Sequence, residues 1–139
     1  MSLNGYLIDT NALSETQKLR PHPSITAFFE SVPGSLLHLS VLTLGELRRG
    51  SLIKRRRHPG MIDRYALWID TLERTYSDRI LPIDKATATL WGELSTGPTR
   101  PAIDSLIAAT AIVHDLTLLT RNTRDFGGLP VRLHNPWLA

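Results

Sequence analysis

The chain has 139 residues, no cysteine and a formal net charge of +3. Its length fits one domain over residues 1–139, and its hydrophobic content of 42% is that of an ordinary globular protein. The composition excludes disulfides and thiolate metal sites, and no apolar run is long enough to span a bilayer. No basic segment precedes an apolar one at the N-terminus, so we expect no signal peptide and a cytoplasmic protein.

Arginine predominates among the basic residues, since 13 of the 16 Lys and Arg residues are Arg. The planar guanidinium group fits phosphate well, so a polyanion such as nucleic acid is one interpretation of the positive charge. The other interpretation is a genome whose composition favours Arg codons.

The first half of the chain alternates short β-like runs with longer helical runs. Strands are predicted at residues 3–8 and 36–41. A capping box at 14–17 predicts the start of a short helix, and Ser24 predicts the cap of a helix over 24–32. Further helices are predicted from Thr43 to about residue 56, and over 61–76.

The second half repeats the alternation. A strand is predicted at 80–83, where a proline indicates an edge position, and Asp84 predicts the cap of a helix that ends at Leu94. After a loop at 95–101, we expect an alanine-rich helix over 103–114 and strands at 117–120 and 131–134. This order predicts an α/β fold with a parallel sheet and helices on both faces.

Four carboxylates fall near the ends of these elements. Asp9 follows the first strand, Glu46 lies in the first turn of the helix after the second strand, and Asp125 follows strand 117–120. In a parallel sheet these three lie at the carboxyl edge, where ligands bind. Asp104 begins the alanine-rich helix, so its position depends on how the preceding loop returns over the sheet.

Carboxylates that come together repel one another unless a cation or a shared proton lies between them. Oxygen ligands without a cluster of His or Cys favour Mg²⁺ or Mn²⁺ over zinc. Such an ion activates water and neutralises charge on a phosphate, so a basic protein with an acidic pocket predicts phosphodiester cleavage.

Each carboxylate also has a purely structural interpretation. Asp9 and Asp125 are typical turn residues. Glu46, three residues after Thr43, completes a capping box, and Asp104 complements the positive end of its helix. A phosphotransfer domain is a third alternative, but position 11 is Asn where one such class needs a second Asp.

The motifs resemble those of the PIN-domain ribonucleases and, more closely, the VapC-type toxins of bacterial toxin–antitoxin pairs. "LIDTNALSE" resembles the first motif, "LSVLTLGELRRG" the second, and "AIDSLIAATAIVHDLTLLTRNTRDF" the third and fourth together. The closing "HNPW" is similar to the FitB-like branch. The resemblance runs from Leu7 to Trp137.

The resemblance implies a three-layer α/β/α sandwich and a Mg²⁺- or Mn²⁺-dependent endoribonuclease. By residue-by-residue transfer, the catalytic acids are Asp9, Glu46, Asp104 and Asp125, of which Asp9, Asp104 and Asp125 are metal ligands. The supporting polar positions are Asn11, Thr120 and Asn122. The family also implies a homodimer and a cognate VapB-type antitoxin, and no membrane.

The sequence departs from the family pattern at three places. The segment 95–104 is several residues shorter than usual, Ser105 replaces a common Ala or Gly, and 52–60 is unusually basic. None of these changes removes an acid, so we expect an active enzyme.

Four arginines are candidates for contact with RNA or antitoxin: Arg48, Arg49, Arg121 and Arg124. The basic run 54–57 is also a candidate for contact with RNA or antitoxin. Its structural interpretation is that cations at the end of a helix interact favourably with the helix dipole. A competing function for the whole chain is that of a PIN-fold binding module, which acts with a DNA-binding antitoxin as a transcriptional regulator and cleaves little or nothing.

Overall fold

A five-stranded parallel sheet forms the centre of the computed structural model, which describes residues 4–60 and 63–138. Its strands are β1 (Tyr6–Ile8), β2 (Leu37–Ser40), β3 (Ile80–Leu81), β4 (Thr117–Leu119) and β5 (Leu133–His134). They lie in the order β3-β2-β1-β4-β5, and every neighbouring pair is parallel. The predicted α/β class and parallel sheet are therefore confirmed, as is the edge position of β3.

Helices occupy both faces of this sheet. They are α1 (Thr10–Glu15), α2 (Pro23–Ser31), α3 (Val41–Arg57), α4 (Arg64–Thr75), α5 (Lys85–Leu94) and α6 (Ala102–Val113). Short 3₁₀ helices occupy Gly34–Leu36 and Thr123–Phe126. The connection from one parallel strand to the next runs through a helix, as parallel pairing requires.

Side chains of the central strand alternate between two cores. Tyr6 and Ile8 pack with residues of α1, α3 and α4, whereas Leu7 packs with residues of α6 on the opposite face. The first core includes Leu13, Leu47, Ile69 and Leu72, and the second includes Ile107, Ala108, Ala111 and Phe126. Each fully buried Leu or Ile stabilises the fold by roughly 1.5–3 kcal/mol, so β1 and its carboxyl end are held rigidly from both sides.

The strands are shorter than predicted, and β1 shows why. Residue 3 of the predicted strand lies outside the described residues, and the strand begins at Tyr6, directly after Gly5. Gly5 has a φ of +103°, and a Cβ there would lie 2.1 Å from the Leu36 carbonyl oxygen. The chain therefore turns sharply at Gly5 before it enters the sheet.

Two predicted helix starts in the first quarter of the chain are wrong. α1 begins at Thr10, directly after Asp9, so Ser14 lies inside the helix and opens no capping box. α2 begins at Pro23, and its cap is His22, whose Nδ1 accepts a hydrogen bond from the backbone amide of Ser24. Proline at the first helical position explains the earlier start, because its fixed φ suits a helix and it needs no partner for an amide.

The predicted start of the third helix at Thr43 is also wrong. α3 begins at Val41, and Ser40 caps it by accepting a hydrogen bond from the Leu42 amide at 3.0 Å. Asp63 caps α4, while residues 61 and 62 of the predicted helix lie outside the described residues. Within the described part of the chain, no helix is both long and apolar enough to cross a membrane.

Candidate active site

The four predicted acids lie around the carboxyl edge of the sheet. Asp9 ends β1, Asp125 lies in the 3₁₀ helix after β4, and Glu46 lies on α3, which starts directly after β2. Asp104 lies in the first turn of α6, and the charges of the other three acids all raise its pKa. The loop before α6 thus brings Asp104 into the same electrostatic environment, which the sequence left open.

Asp9 is the most enclosed of the four acids, with 6% of its surface exposed. One carboxylate oxygen accepts a hydrogen bond from the Thr10 amide at 2.9 Å, and the other accepts one from the Thr120 hydroxyl at 2.7 Å. Burial raises the pKa of Asp9, the two hydrogen bonds oppose that rise, and the charges of Glu46 and Asp125 add to it. Asp9 caps α1, but a cap alone would not require other carboxylates nearby.

The three predicted supporting residues form one network with Asp9. Asn11 Nδ2 lies 3.4 Å from Asp9 Oδ2 and 3.5 Å from Thr120 Oγ1. The Thr120 hydroxyl also accepts a hydrogen bond from the Asn122 amide at 3.1 Å, so Asn122 contributes its backbone. This network ties the ends of β1 and β4 together and fixes the Asp9 carboxylate between them.

Glu46 is oriented by Thr10, whose role the sequence did not reveal. The Thr10 hydroxyl donates to Glu46 Oε1 at 2.6 Å and lies 3.4 Å from the Thr43 hydroxyl. Because α3 begins at Val41, Glu46 lies in its second turn and forms no capping box with Thr43. The only sequence signal for Thr10 was its place in the Asp-Thr-Asn motif.

Asp104 and Asp125 are held differently. In the described part of the chain neither carboxylate accepts a hydrogen bond, and Asp125 is exposed while Asp104 is half-buried. Partial burial is the largest cause of the raised pKa of Asp104, followed by the charges of Asp9, Glu46 and Asp125. We call Asp9 and Glu46 the braced pair, and Asp104 and Asp125 the open pair.

The closing "HNPW" segment supports the loop after β4. The His134 carbonyl accepts a hydrogen bond from the Thr120 amide at 3.0 Å, and Asn135 Nδ2 lies 3.5 Å from the Arg121 carbonyl. The Arg121 guanidinium lies 5.2 Å from the centre of the Trp137 ring. This segment therefore steadies Thr120, on which Asp9 depends.

The other candidate arginines lie on α3 and beside Asp125. Arg48 bridges α3 to α4 through Asp70 at 2.6 Å and Glu73 at 2.9 Å. Arg49 and Arg124 are exposed. A groove of about 450 Å³ on α3 is lined by Gly45, Arg48, Arg49, Leu52, Ile53 and Arg56.

Half of the basic run at the end of α3 has partners inside the protein. The Lys54 ammonium lies 5.3 Å from the centre of the Tyr65 ring, and Arg55 pairs with Asp63 at 3.5 Å. The run lies in the last turn of α3, where cations also favour the helix dipole. Arg56 lines the groove on α3.

The chemistry of this donor set fits a hard divalent cation. The four side chains offer only carboxylate oxygens, and burial together with their charges raises the pKa values of Asp9 and Asp104. Over residues 4–60 and 63–138, no three His, Cys, Asp or Glu side chains are arranged to enclose a metal by themselves. An open set of carboxylates suits Mg²⁺, which keeps several of its waters.

Comparison with known proteins identifies similar chains. A model of the PIN domain matches residues 6–129. The chain is 33% identical to Toxin FitB of Neisseria gonorrhoeae, over 94% of this chain and 97% of that protein. It is 29% identical to VapC ribonuclease Y4jK of Sinorhizobium fredii, over 94% and 96% respectively. Its fold matches a structure of FitAB bound to an IR36 DNA fragment, with a TM-score of 0.80, 28% identity and 96% of each chain covered.

Proposed function

Because this chain belongs to the PIN domain family, we propose that it is a magnesium-dependent endoribonuclease and the toxin of a type II toxin–antitoxin pair. It hydrolyses phosphodiester bonds of RNA, and Mn²⁺ can replace Mg²⁺. The similarity to a protein named a toxin and to one named a ribonuclease supports this proposal.

One observation carries the proposal: a buried carboxylate lies close to other carboxylates, whose charges raise its pKa. Asp9 is almost fully enclosed, and both Glu46 and Asp125 raise its pKa. A turn or a helix cap gains nothing from such repulsion, whereas a metal site needs it, because the incoming ion offsets the cost of gathering the charges.

Asp9, Asp104 and Asp125 are the residues that would hold the ion. When bound, a divalent cation makes water more acidic and neutralises charge on the phosphate. Glu46 Oε1 accepts a hydrogen bond from the Thr10 hydroxyl, which leaves Oε2 to accept a hydrogen bond from water. Thr120 and Asn11 hold the Asp9 carboxylate in position through their contacts with Oδ2.

We assign the groove on α3 to the cognate VapB-type antitoxin or to RNA. Leu52, which is 51% exposed, and Ile53 offer apolar surface, while Arg49 and Arg56 supply positive charge beside it. An acidic amphipathic segment and a phosphate backbone both complement such a surface. Arg121 and Arg124 extend the positive charge on the other side of the site, and the family resemblance adds a homodimer.

The proposal is tested by incubating purified protein with a panel of RNAs and Mg²⁺, with and without EDTA. Wild-type protein should cut RNA only with the metal, and Asp9→Asn should abolish cleavage. Asp78→Asn is the matched control. Asp78 precedes β3 and therefore lies at the amino ends of the strands, away from the four acids. RNA left intact over the whole panel would contradict the proposal.

The alternative function is that of a binding module which acts with a DNA-binding antitoxin as a transcriptional regulator. Similarity to the FitAB structure bound to DNA favours it. On this alternative, co-expressed toxin and antitoxin bind promoter DNA, and Asp9→Asn changes nothing. Sequencing of RNA ends after induction of the toxin alone separates the two functions, since only the ribonuclease generates new ends.

A further inference from the structure

Arg100 lies in the loop between α5 and α6, and its side chain reaches the segment that carries Asp125. Nη1 donates to the Asp125 carbonyl oxygen at 3.2 Å, and Nη2 donates to the Gly127 carbonyl oxygen at 2.7 Å. The guanidinium group is planar, so two contacts from one fork fix both the distance and the orientation of what it holds.

The backbone of Asp125 needs such support, because over residues 4–60 and 63–138 no hydrogen bond holds its side chain. The residue lies in a four-residue 3₁₀ helix, which is a poor hydrogen-bonding element. Its amide donates to the Asn122 carbonyl at 3.0 Å, and the neighbouring Phe126 is buried against α6. Arg100 holds the remaining polar group of the Asp125 backbone, its carbonyl oxygen.

The local sequence leaves room for this contact. Gly128 has a φ of +86°, and a Cβ at that position would lie 3.3 Å from Arg100 Nη2. A side chain there would strain the backbone and press on the guanidinium group. Glycine in the turn after the 3₁₀ helix therefore leaves space for the Arg100 guanidinium group.

Arg100 also leads directly into the helix that carries the other member of the open pair. Pro101 follows it as the N-cap of α6, and Asp104 lies in the first turn of that helix. The two hydrogen bonds of Arg100 therefore connect the segment that places Asp104 to the segment that places Asp125.

We propose that Arg100 is a positioning residue that sets the separation of Asp104 and Asp125. In this role it acts through the backbone of the 3₁₀ helix, by its contacts to the Asp125 and Gly127 carbonyl oxygens. Its effect on cleavage rests on the proposed ribonuclease function, whereas its effect on the backbone of the 3₁₀ helix does not.

The first measurement is amide hydrogen exchange in the metal-free protein. Arg100→Ala should speed exchange at the Asp125 and Gly127 amides, which bond within the 3₁₀ helix. Arg132→Ala is the matched control: Arg132 Nη2 donates to the Asp115 carbonyl at 2.8 Å, before β4 at the opposite edge of the sheet. Unchanged exchange at both amides in Arg100→Ala would overturn the proposal.

The second measurement is RNA cleavage as a function of Mg²⁺ concentration. Arg100→Ala should lower kcat on the order of 10- to 100-fold and raise the Mg²⁺ concentration for half-maximal activity, as expected when reacting groups are misplaced. Arg132→Ala should change neither quantity. Arg100→Lys should be more active than Arg100→Ala but less active than wild type, because one ammonium group cannot make both hydrogen bonds of the guanidinium group in the same geometry.

The outcomes separate the two proposals. Full activity in Arg100→Lys would overturn the positioning role, since charge alone would then suffice. If wild-type protein cuts no RNA, the ribonuclease function fails, and the exchange rates still decide whether Arg100 holds the Asp125 backbone.

Discussion

The braced pair and the open pair occupy the same edge of the sheet but are positioned by different means. Hydroxyl groups from distant parts of the chain hold the carboxylates of the braced pair: Thr120 holds Asp9, and Thr10 holds Glu46. The open pair depends on its backbone, because in the described part of the chain no side chain donates to the carboxylate of Asp104 or Asp125, and Arg100 donates only to the Asp125 carbonyl oxygen.

Because the two pairs are positioned differently, one site contains both rigidly held and adjustable carboxylates. Side-chain hydrogen bonds in an enclosed setting fix a carboxylate closely, as a ligand must be fixed before an ion arrives. Carboxylates that are placed only through the backbone keep rotational freedom and can adjust to the ion or to phosphate. We therefore expect the braced pair to set the geometry of the site and the open pair to complete it.

Among substitutions of the residues that support the acids, the largest effect is expected from Thr120→Val. The substitution removes the donor to the buried Asp9 Oδ2 and leaves the Asn122 amide without its acceptor. Unfolding free energy should fall by about 1–3 kcal/mol, and cleavage should fall on the order of 100-fold because Asp9 is no longer fixed. Denaturant melts and initial rates measure the two effects.

Thr110→Val is the control for this prediction. Thr110 is as buried as Thr120, but its hydroxyl donates to the Leu106 carbonyl within α6. The control should keep its activity. If both valine variants lost activity in proportion to their stability, Thr120 would have no role beyond packing.

A smaller effect is expected from Thr10→Val, which removes the hydroxyl that orients Glu46. Glu46 keeps its charge but gains rotational freedom, so cleavage should fall on the order of tenfold. Thr10→Ser keeps the hydroxyl and should retain most of the activity. A serine variant as impaired as the valine variant would show that the hydroxyl is not what supports Glu46, and would contradict this role of Thr10.

The smallest effect is one of stability. The pKa of Asp104 lies above its usual value, so the folded protein holds this proton to a higher pH than the unfolded chain does. Unfolding free energy must then fall as pH rises through that interval. In metal-free protein at neutral pH, Asp104→Asn should therefore raise Tm by at most a few degrees, and the gain should shrink as the pH is lowered.

Asp115→Asn is expected to change Tm in the opposite direction to Asp104→Asn. The hydrogen bond from Arg132 lowers the pKa of Asp115, so its charge stabilises the folded state above the usual pKa, and its removal should lower Tm at neutral pH. Equal and parallel changes in Tm for the two variants would show that Asp104 experiences no repulsion from the other acids.

The sequence was sufficient for the fold class, the sheet direction and the placement of three acids at one edge. Local signals served less well where two candidate caps compete: Ser40 starts α3, although Thr43 with Glu46 has the pattern of a capping box. Asp9 both ends a strand and caps α1, so the helix begins four residues before the predicted one.

Long-range contacts explain most of what the sequence did not reveal. Thr10 and Glu46 are 36 residues apart, and Arg100 is 25 residues from Asp125. No periodicity or spacing pattern predicts which hydroxyl meets which carboxylate across such distances. The position of Asp104 near the other three acids likewise depends on the path of the loop at 95–101, whose sequence has no periodic pattern.

The central claim is that Asp9, Asp104 and Asp125 bind a divalent cation and that the charge of Glu46 beside them strengthens this binding. It is tested most directly by titrating Mn²⁺ into metal-free protein in a calorimeter, with Glu46→Gln beside wild type and Glu93→Gln as an exposed helical control. The glutamine keeps an acceptor for Thr10 but removes the charge. We predict that Glu46→Gln binds Mn²⁺ more weakly at an unchanged Tm while Glu93→Gln matches wild type; equal affinity in all three proteins would contradict the claim.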